Sequence, residues 1–68
     1  MNELILKNKI KDLREKQNLS QQKLAEKVGT TRQTIIAIEK GTFSPTAKLA
    51  YLLCMALDVK FEDLFYFE

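Results

Sequence analysis

Residues 20–41 read SQQKLAEKVGTTRQTIIAIEKG, two short helical patterns that meet at Gly29. Ser20 is a good N-cap for the first, whose apolar positions Leu24, Ala25 and Val28 share one face. Gly29 stands just past its end, where a residue without a Cβ takes positive φ at no steric cost. Thr31 caps the second pattern, Arg32 to Lys40, which buries Ile35 and Ile38 and stops at Gly41. The stretch TTRQT opens this second helix, and no apolar packing requires it.

A helix of about nine residues, a turn through one glycine and a second such helix fit the helix-turn-helix, whose helices cross at roughly 90 to 120°. Ala25 is then small because the next helix packs closely over it. Left facing outward are Thr31, Arg32, Gln33 and Thr34, followed one turn later by Ile36, Ala37 and Lys40. Arginine can donate two hydrogen bonds to guanine, glutamine can bond bidentately to adenine, and small apolar groups can meet the thymine methyl. The expected base readers are Arg32 and Gln33, with methyl contacts from Ile36 and Ala37. The hydroxyls of Thr31 and Thr34, the helix N-terminal amides and Gln21 suit phosphates, with Lys40, Thr42 and Ser44 extending that grip. Each has a plainer alternative: Thr31 is a helix cap in any case, Arg32 and Gln33 can be solvated surface, and Ile36 can be a half-exposed residue or a partner contact.

Outward from this stretch, Leu4-Ile5-Leu6 is a short apolar run that reads as a strand. Asn8 can cap a helix to about Gln17, with Ile10 and Leu13 inward and Lys9, Lys11, Arg14, Glu15 and Lys16 in water; Asn18 suits its exit. Ser44-Pro45 starts a fourth helix, Ser as cap and Pro at the first helical position, running to about Leu57. Its residues Leu49, Ala50, Leu52, Leu53, Ala56 and Leu57 cover more than one face, which makes it the expected centre of the core. Phe61 to Leu64 reads as a single turn, and Phe65-Tyr66-Phe67 has strand propensity.

The 68 residues allow one hydrophobic core, and a composition 46% hydrophobic and 29% charged is that of a folded chain. One cysteine, Cys54, and no histidine leave no disulfide, no metal site and no assembled catalytic nucleophile. Neither an enzyme nor a cofactor is expected, and Cys54 reads as a small core residue. Oligomerisation remains as the staple for so small a domain. With no signal peptide or membrane-length apolar run, the expected location is the cytoplasm. Residues 1–41 carry nine Lys/Arg against five Asp/Glu, and residues 42–68 two against four. The half holding TTRQT is therefore net basic, as an anion-facing surface or a solvated helical surface would be.

The segment SQQKLAEKVGTTRQTIIAIEKG, followed by SP, an apolar helix ending ALDV and then FEDLF, resembles the phage Cro/repressor-type, or XRE-type, helix-turn-helix family of prokaryotes and phages. The resemblance spans about Asn8 to Phe65. It implies a mostly α, five-helix DNA-binding domain over residues 1–68, with its motif at about 20–40. It also implies a small two-stranded antiparallel sheet from the terminal segments, here Leu4-Ile5-Leu6 and Phe65-Tyr66-Phe67. The implied function is a transcriptional repressor that binds a palindromic double-stranded operator as a homodimer, recognition helix in the major groove. Gln21 matches the family's phosphate-contacting position, Arg32, Gln33 and Thr34 its specificity positions, and Ile36 and Ala37 positions that face the groove. Three residues depart from the pattern: Thr30 replaces a commonly buried apolar residue, Lys60 a capping Ser or Thr, and Ile36 a small polar residue. Larger repressors carry a separate dimerisation domain for which this chain has no room, so pairing is expected through the domain itself. Tyr51, Met55, Phe61, Phe65 and Phe67 are the apolar candidates for that interface, with core or strand packing as the alternative for each. The competing function is a protein-binding module on the same scaffold, antitoxin-like or coactivator-like.

Overall fold

Four short polar side chains and two glycines punctuate the chain. In the computed structural model, which describes residues 5–68, the order is β1 (Leu6–Asn8), α1 (Ile10–Lys16), α2 (Gln21–Val28), α3 (Arg32–Lys40), α4 (Ala47–Leu57), α5 (Phe61–Leu64) and β2 (Phe65–Phe67). Ser20 and Thr31 have extended backbones, and their hydroxyl oxygens accept from the amides of Lys23 (3.0 Å) and Thr34 (3.2 Å). Gly29 (φ 75°) and Gly41 (φ 81°) end α2 and α3 in the left-handed conformation. Asn18 leaves α1 at φ 57°, and Asp58 ends α4 the same way, so an αL cap terminates α4 without a glycine.

The core gathers Leu24 and Val28 of α2, Ile35 and Ile38 of α3, Ala50, Leu53 and Leu57 of α4, and Leu64 of α5, with Ile10 closing it from α1. Ala25 is fully buried, as the close approach of α3 requires. Cys54 lies in the same core as a free thiol. Burial, reinforced by the charge of Glu62, pushes its pKa up and keeps it protonated. Lys60 precedes α5 without a side-chain cap, and Glu62 and Asp63 occupy its first turn. Among the described residues no helix is long and apolar enough to cross a membrane.

Five local expectations change. The first strand is Leu6–Asn8 rather than Leu4-Ile5-Leu6; Leu4 lies outside the described residues. Its register follows from β2: the Lys9 amide donates to Leu64 O at 2.9 Å, which sets Asn8 opposite Phe65 and Leu6 opposite Phe67. Ile5 and Glu68 extend this antiparallel pairing through two further backbone bonds. Asn8 consequently sits in the strand, and Lys9 is the N-cap of α1, with no side-chain bond of its own. Asn8 still serves that helix, because its Oδ1 accepts from Ile10 N while its Nδ2 donates to Ile38 O at 2.9 Å.

The start of α4 moves from Pro45 to Ala47. Thr46 has an extended backbone (ψ 162°), which precludes a helix start before it, and its hydroxyl accepts from Leu49 N at 3.1 Å. Ser44 is exposed loop and Pro45 precedes the cap. Arg14, expected in water, is buried at 7% exposure. It lies four residues after the fully buried Ile10, on the inward face of α1, and its burial is made possible by the acceptors that meet it there. Phe65, a candidate for an exposed interface, is only 3% exposed and packs against Phe61 with ring centroids 5.1 Å apart.

Two stability measurements check these assignments. In urea unfolding, Thr46→Ala should cost about 1 kcal/mol while Ser44→Ala changes little; the reverse order would return the cap to Ser44. Arg14→Met, which strands a buried carboxylate, should cost about 3 kcal/mol, and most of that loss should be recovered when Glu39→Leu is added.

Candidate nucleic-acid interface

The outer surface of α3 is what the motif leaves uncovered. Ile35 and Ile38 point into the core, and at about 100° per residue the opposite side of the helix carries Arg32, Gln33, Ile36, Ala37 and Lys40. Arg32, Gln33 and Lys40 are exposed, whereas Ile36 and Ala37 are half-buried. Two donor-bearing side chains thus project at the helix start, beside a shallow apolar surface one turn further on. This is the order of groups that base edges and thymine methyls would meet in a major groove.

Around that strip the structure distributes the other expected contacts. The Thr31 and Thr34 hydroxyls lie 3.0 Å apart, so the cap forms a small polar cluster at the N-terminus of α3. Thr42 donates through its hydroxyl to Ala37 O at 3.2 Å, closing the end of α3, and Ser44 stands exposed beyond it. Gln21 opens α2. With Ser20, Gln22, Arg14 and Arg32 it lines a polar depression between the N-terminal ends of α2 and α3. Gln21 and Arg32, eleven positions apart in sequence, therefore share one surface.

Arg14 and Glu39 sit beneath this surface and were not expected there. Arg14 Nε donates to Glu39 Oε2 at 2.8 Å and Nη2 to Glu39 Oε1 at 3.4 Å, while Nη1 donates to Leu19 O at 2.9 Å. Gln21 Nε2 donates to the same Glu39 Oε1 at 3.1 Å. The network joins α1, the loop before α2, the first residue of α2 and the last turn of α3. One signal for it was present: Glu39 follows the buried Ile35 by four residues, as Arg14 follows Ile10, so both charges fall on inward faces.

A second exposed surface lies away from α3. Tyr51 (66% exposed) and Met55 (61% exposed) on α4, with Phe61 on α5, border an apolar groove floored by Ala50, Cys54 and Val59 and edged by Asp58, Lys60 and Asp63. Phe67 is exposed at the sheet, and Phe43, which the sequence did not single out, is exposed in the loop after α3. Among the described residues no group of three or more His, Cys, Asp or Glu is placed to hold a metal ion.

Known proteins resemble this arrangement in both sequence and shape. Residues 10–64 match the model of the family described as helix-turn-helix. The uncharacterized HTH-type transcriptional regulator YgzD of Bacillus subtilis is 51% identical over 63 residues, 93% of this chain and 96% of that protein. The uncharacterized HTH-type transcriptional regulator MJ0272 of Methanocaldococcus jannaschii shows the same identity and coverage. Among solved structures, the restriction-modification controller protein C.AhdI of Aeromonas hydrophila superposes with a TM-score of 0.74 at 28% identity, over 79% of this chain and 78% of that one. A putative DNA-binding protein from Bacteroides fragilis shares the fold, with a TM-score of 0.80 at 21% identity over 90% of this chain and 98% of that one. With its capped α2 and α3, its five helices and its small sheet, the chain belongs to the XRE-type, Cro/repressor-like helix-turn-helix family of transcriptional regulators.

Proposed function

We propose that this chain is a sequence-specific double-stranded DNA-binding repressor, a single domain over residues 1–68 that inserts α3 into the major groove of a palindromic operator as a homodimer. The observation that carries the reading is the exposed Arg32-Gln33 pair at the start of a helix whose opposite face is anchored in the core. Arg32 and Gln33 read base edges, and Ile36 and Ala37 pack on the groove floor. Gln21, Thr31, Thr34, Lys40, Thr42 and Ser44 hold phosphates on either side, which sets orientation without reading sequence. The pairing surface is the groove bordered by Tyr51, Met55 and Phe61, whose rim carries Lys60 beside Asp58 and Asp63, charges of both signs that a two-fold copy can match. Repression follows where the operator overlaps a promoter.

Selection of duplexes from a random pool at about 100 mM salt tests this directly, because phosphate contacts alone enrich no sequence. A palindrome with half-sites about one helical turn apart is the expected product. Failure of folded protein to enrich any site would instead favour a protein-binding module on this scaffold. On the enriched duplex, Arg32→Ala should cost about 1 to 3 kcal/mol and relax preference at one base pair per half-site. Lys40→Ala should weaken all sequences alike and lower the salt slope by about one per half-site. Met55→Glu should leave the far-UV spectrum unchanged and shift the sedimentation equilibrium toward monomer; an unchanged equilibrium would move the interface elsewhere.

A further inference from the structure

Gln21 enters the proposed interface as a phosphate contact, yet its carboxamide is already engaged, donating one Nε2 proton to Glu39 Oε1. A carboxamide nitrogen carries two protons in one plane, so fixing one fixes the direction of the other. Glu39 itself is too enclosed to meet DNA, its side chain being 8% exposed. Both of its oxygens are engaged within the protein: Oε2 accepts from Arg14 Nε, and Oε1 accepts from both Arg14 Nη2 and Gln21 Nε2. Arg14 is anchored in turn to Leu19 O, one residue before the cap of α2. Gln21 on α2 is thereby tied through Glu39 to α3, the helix that carries Arg32 and Gln33.

We infer that Glu39, held in place by Arg14, is a positioning residue for DNA binding: it aims the free Nε2 proton of Gln21 at a phosphate and fixes that contact relative to the base-reading side chains of α3. This role rests on the DNA-reading function proposed above. Arg14 contributes in two ways. It holds the carboxylate rigid, and its charge offsets a negative group that would otherwise lie behind a phosphate contact.

Glu39→Gln tests the role with almost no change in shape. Its single carbonyl can still accept from Arg14, but its amide then faces Gln21 donor to donor and turns that side chain away. Affinity for the selected duplex is measured for the parent, Glu39→Gln, Gln21→Ala and the double variant, with far-UV spectra and urea unfolding recorded for each. Glu39→Gln should weaken the parent about three- to tenfold, the range of one hydrogen bond, and should weaken Gln21→Ala no further. Equal weakening in both backgrounds, or none in the parent, would overturn the role. If Glu39→Gln does not fold, side-chain amide NMR of the free parent decides. Gln21 should hold one rotamer with cross-peaks to Glu39, and rotamer averaging would refute the inference. A folded parent that binds no duplex would remove the DNA-reading function and this role together, an outcome distinct from a binding parent with no coupling.

Discussion

The Arg14–Glu39 ion pair is the constraint on which the arrangement of the three N-terminal helices depends. α1 brings only Ile10 fully into the core, with Leu13 half-buried, so apolar contact alone defines its orientation weakly. The guanidinium supplies direction that a methyl group cannot, because its donors sit in a rigid plane and each bond here fixes an angle as well as a distance. Burial makes the pair demanding. Two charges taken out of water are held only where further hydrogen bonds satisfy them, and the Leu19 carbonyl and the Gln21 amide meet that need.

Polar ties of this kind recur at the edges of the apolar core. Asn8 reaches from the sheet to Ile38 O, and Gln17 Nε2 donates to Leu57 O at 2.8 Å, joining the end of α1 to the end of α4. Both carbonyls belong to residues within the last turns of their helices, where intrahelical partners run out. α3 is consequently held at three levels: by Ile35 and Ile38 in the core, by Glu39 beneath its outer face and by Asn8 near its end. The base reading proposed for α3 would benefit from such fixing, since small errors in placement misalign bidentate bonds.

The two exposed surfaces differ in chemistry. The α3 face and the opening of α2 present donor-bearing side chains beside a shallow apolar strip and belong to the basic half of the chain, whereas the α4–α5 groove is apolar with a rim of mixed charge. Their separation allows one surface to engage DNA while the other engages a second copy, as the proposed function requires. The same four-residue spacing that builds α4 into the core at Leu53 and Leu57 leaves Tyr51 and Met55 on its outer side.

What could be read from sequence were the features encoded by neighbours in the chain. Ser20, Thr31, Gly29 and Gly41 mark helix ends by local backbone chemistry, and Leu24, Val28, Ile35 and Ile38 mark inward faces by spacing, so the motif and its outward residues are legible in the sequence. Where two local signals competed, tertiary structure chose: Thr46 displaced Ser44 as cap, and the pairing with β2 moved the first strand from Leu4-Ile5-Leu6 to Leu6–Asn8. The burial of Phe65 was decided by tertiary structure, and that of Arg14, which spacing places on the inward face of α1, required the partner that the fold supplies. A charged or aromatic side chain lies inside or outside according to which partner the fold brings to it, and Glu39 is 25 residues from Arg14. Helix caps and periodicity act over a few residues and are written in sequence; pairing across the fold exists only once the helices have packed.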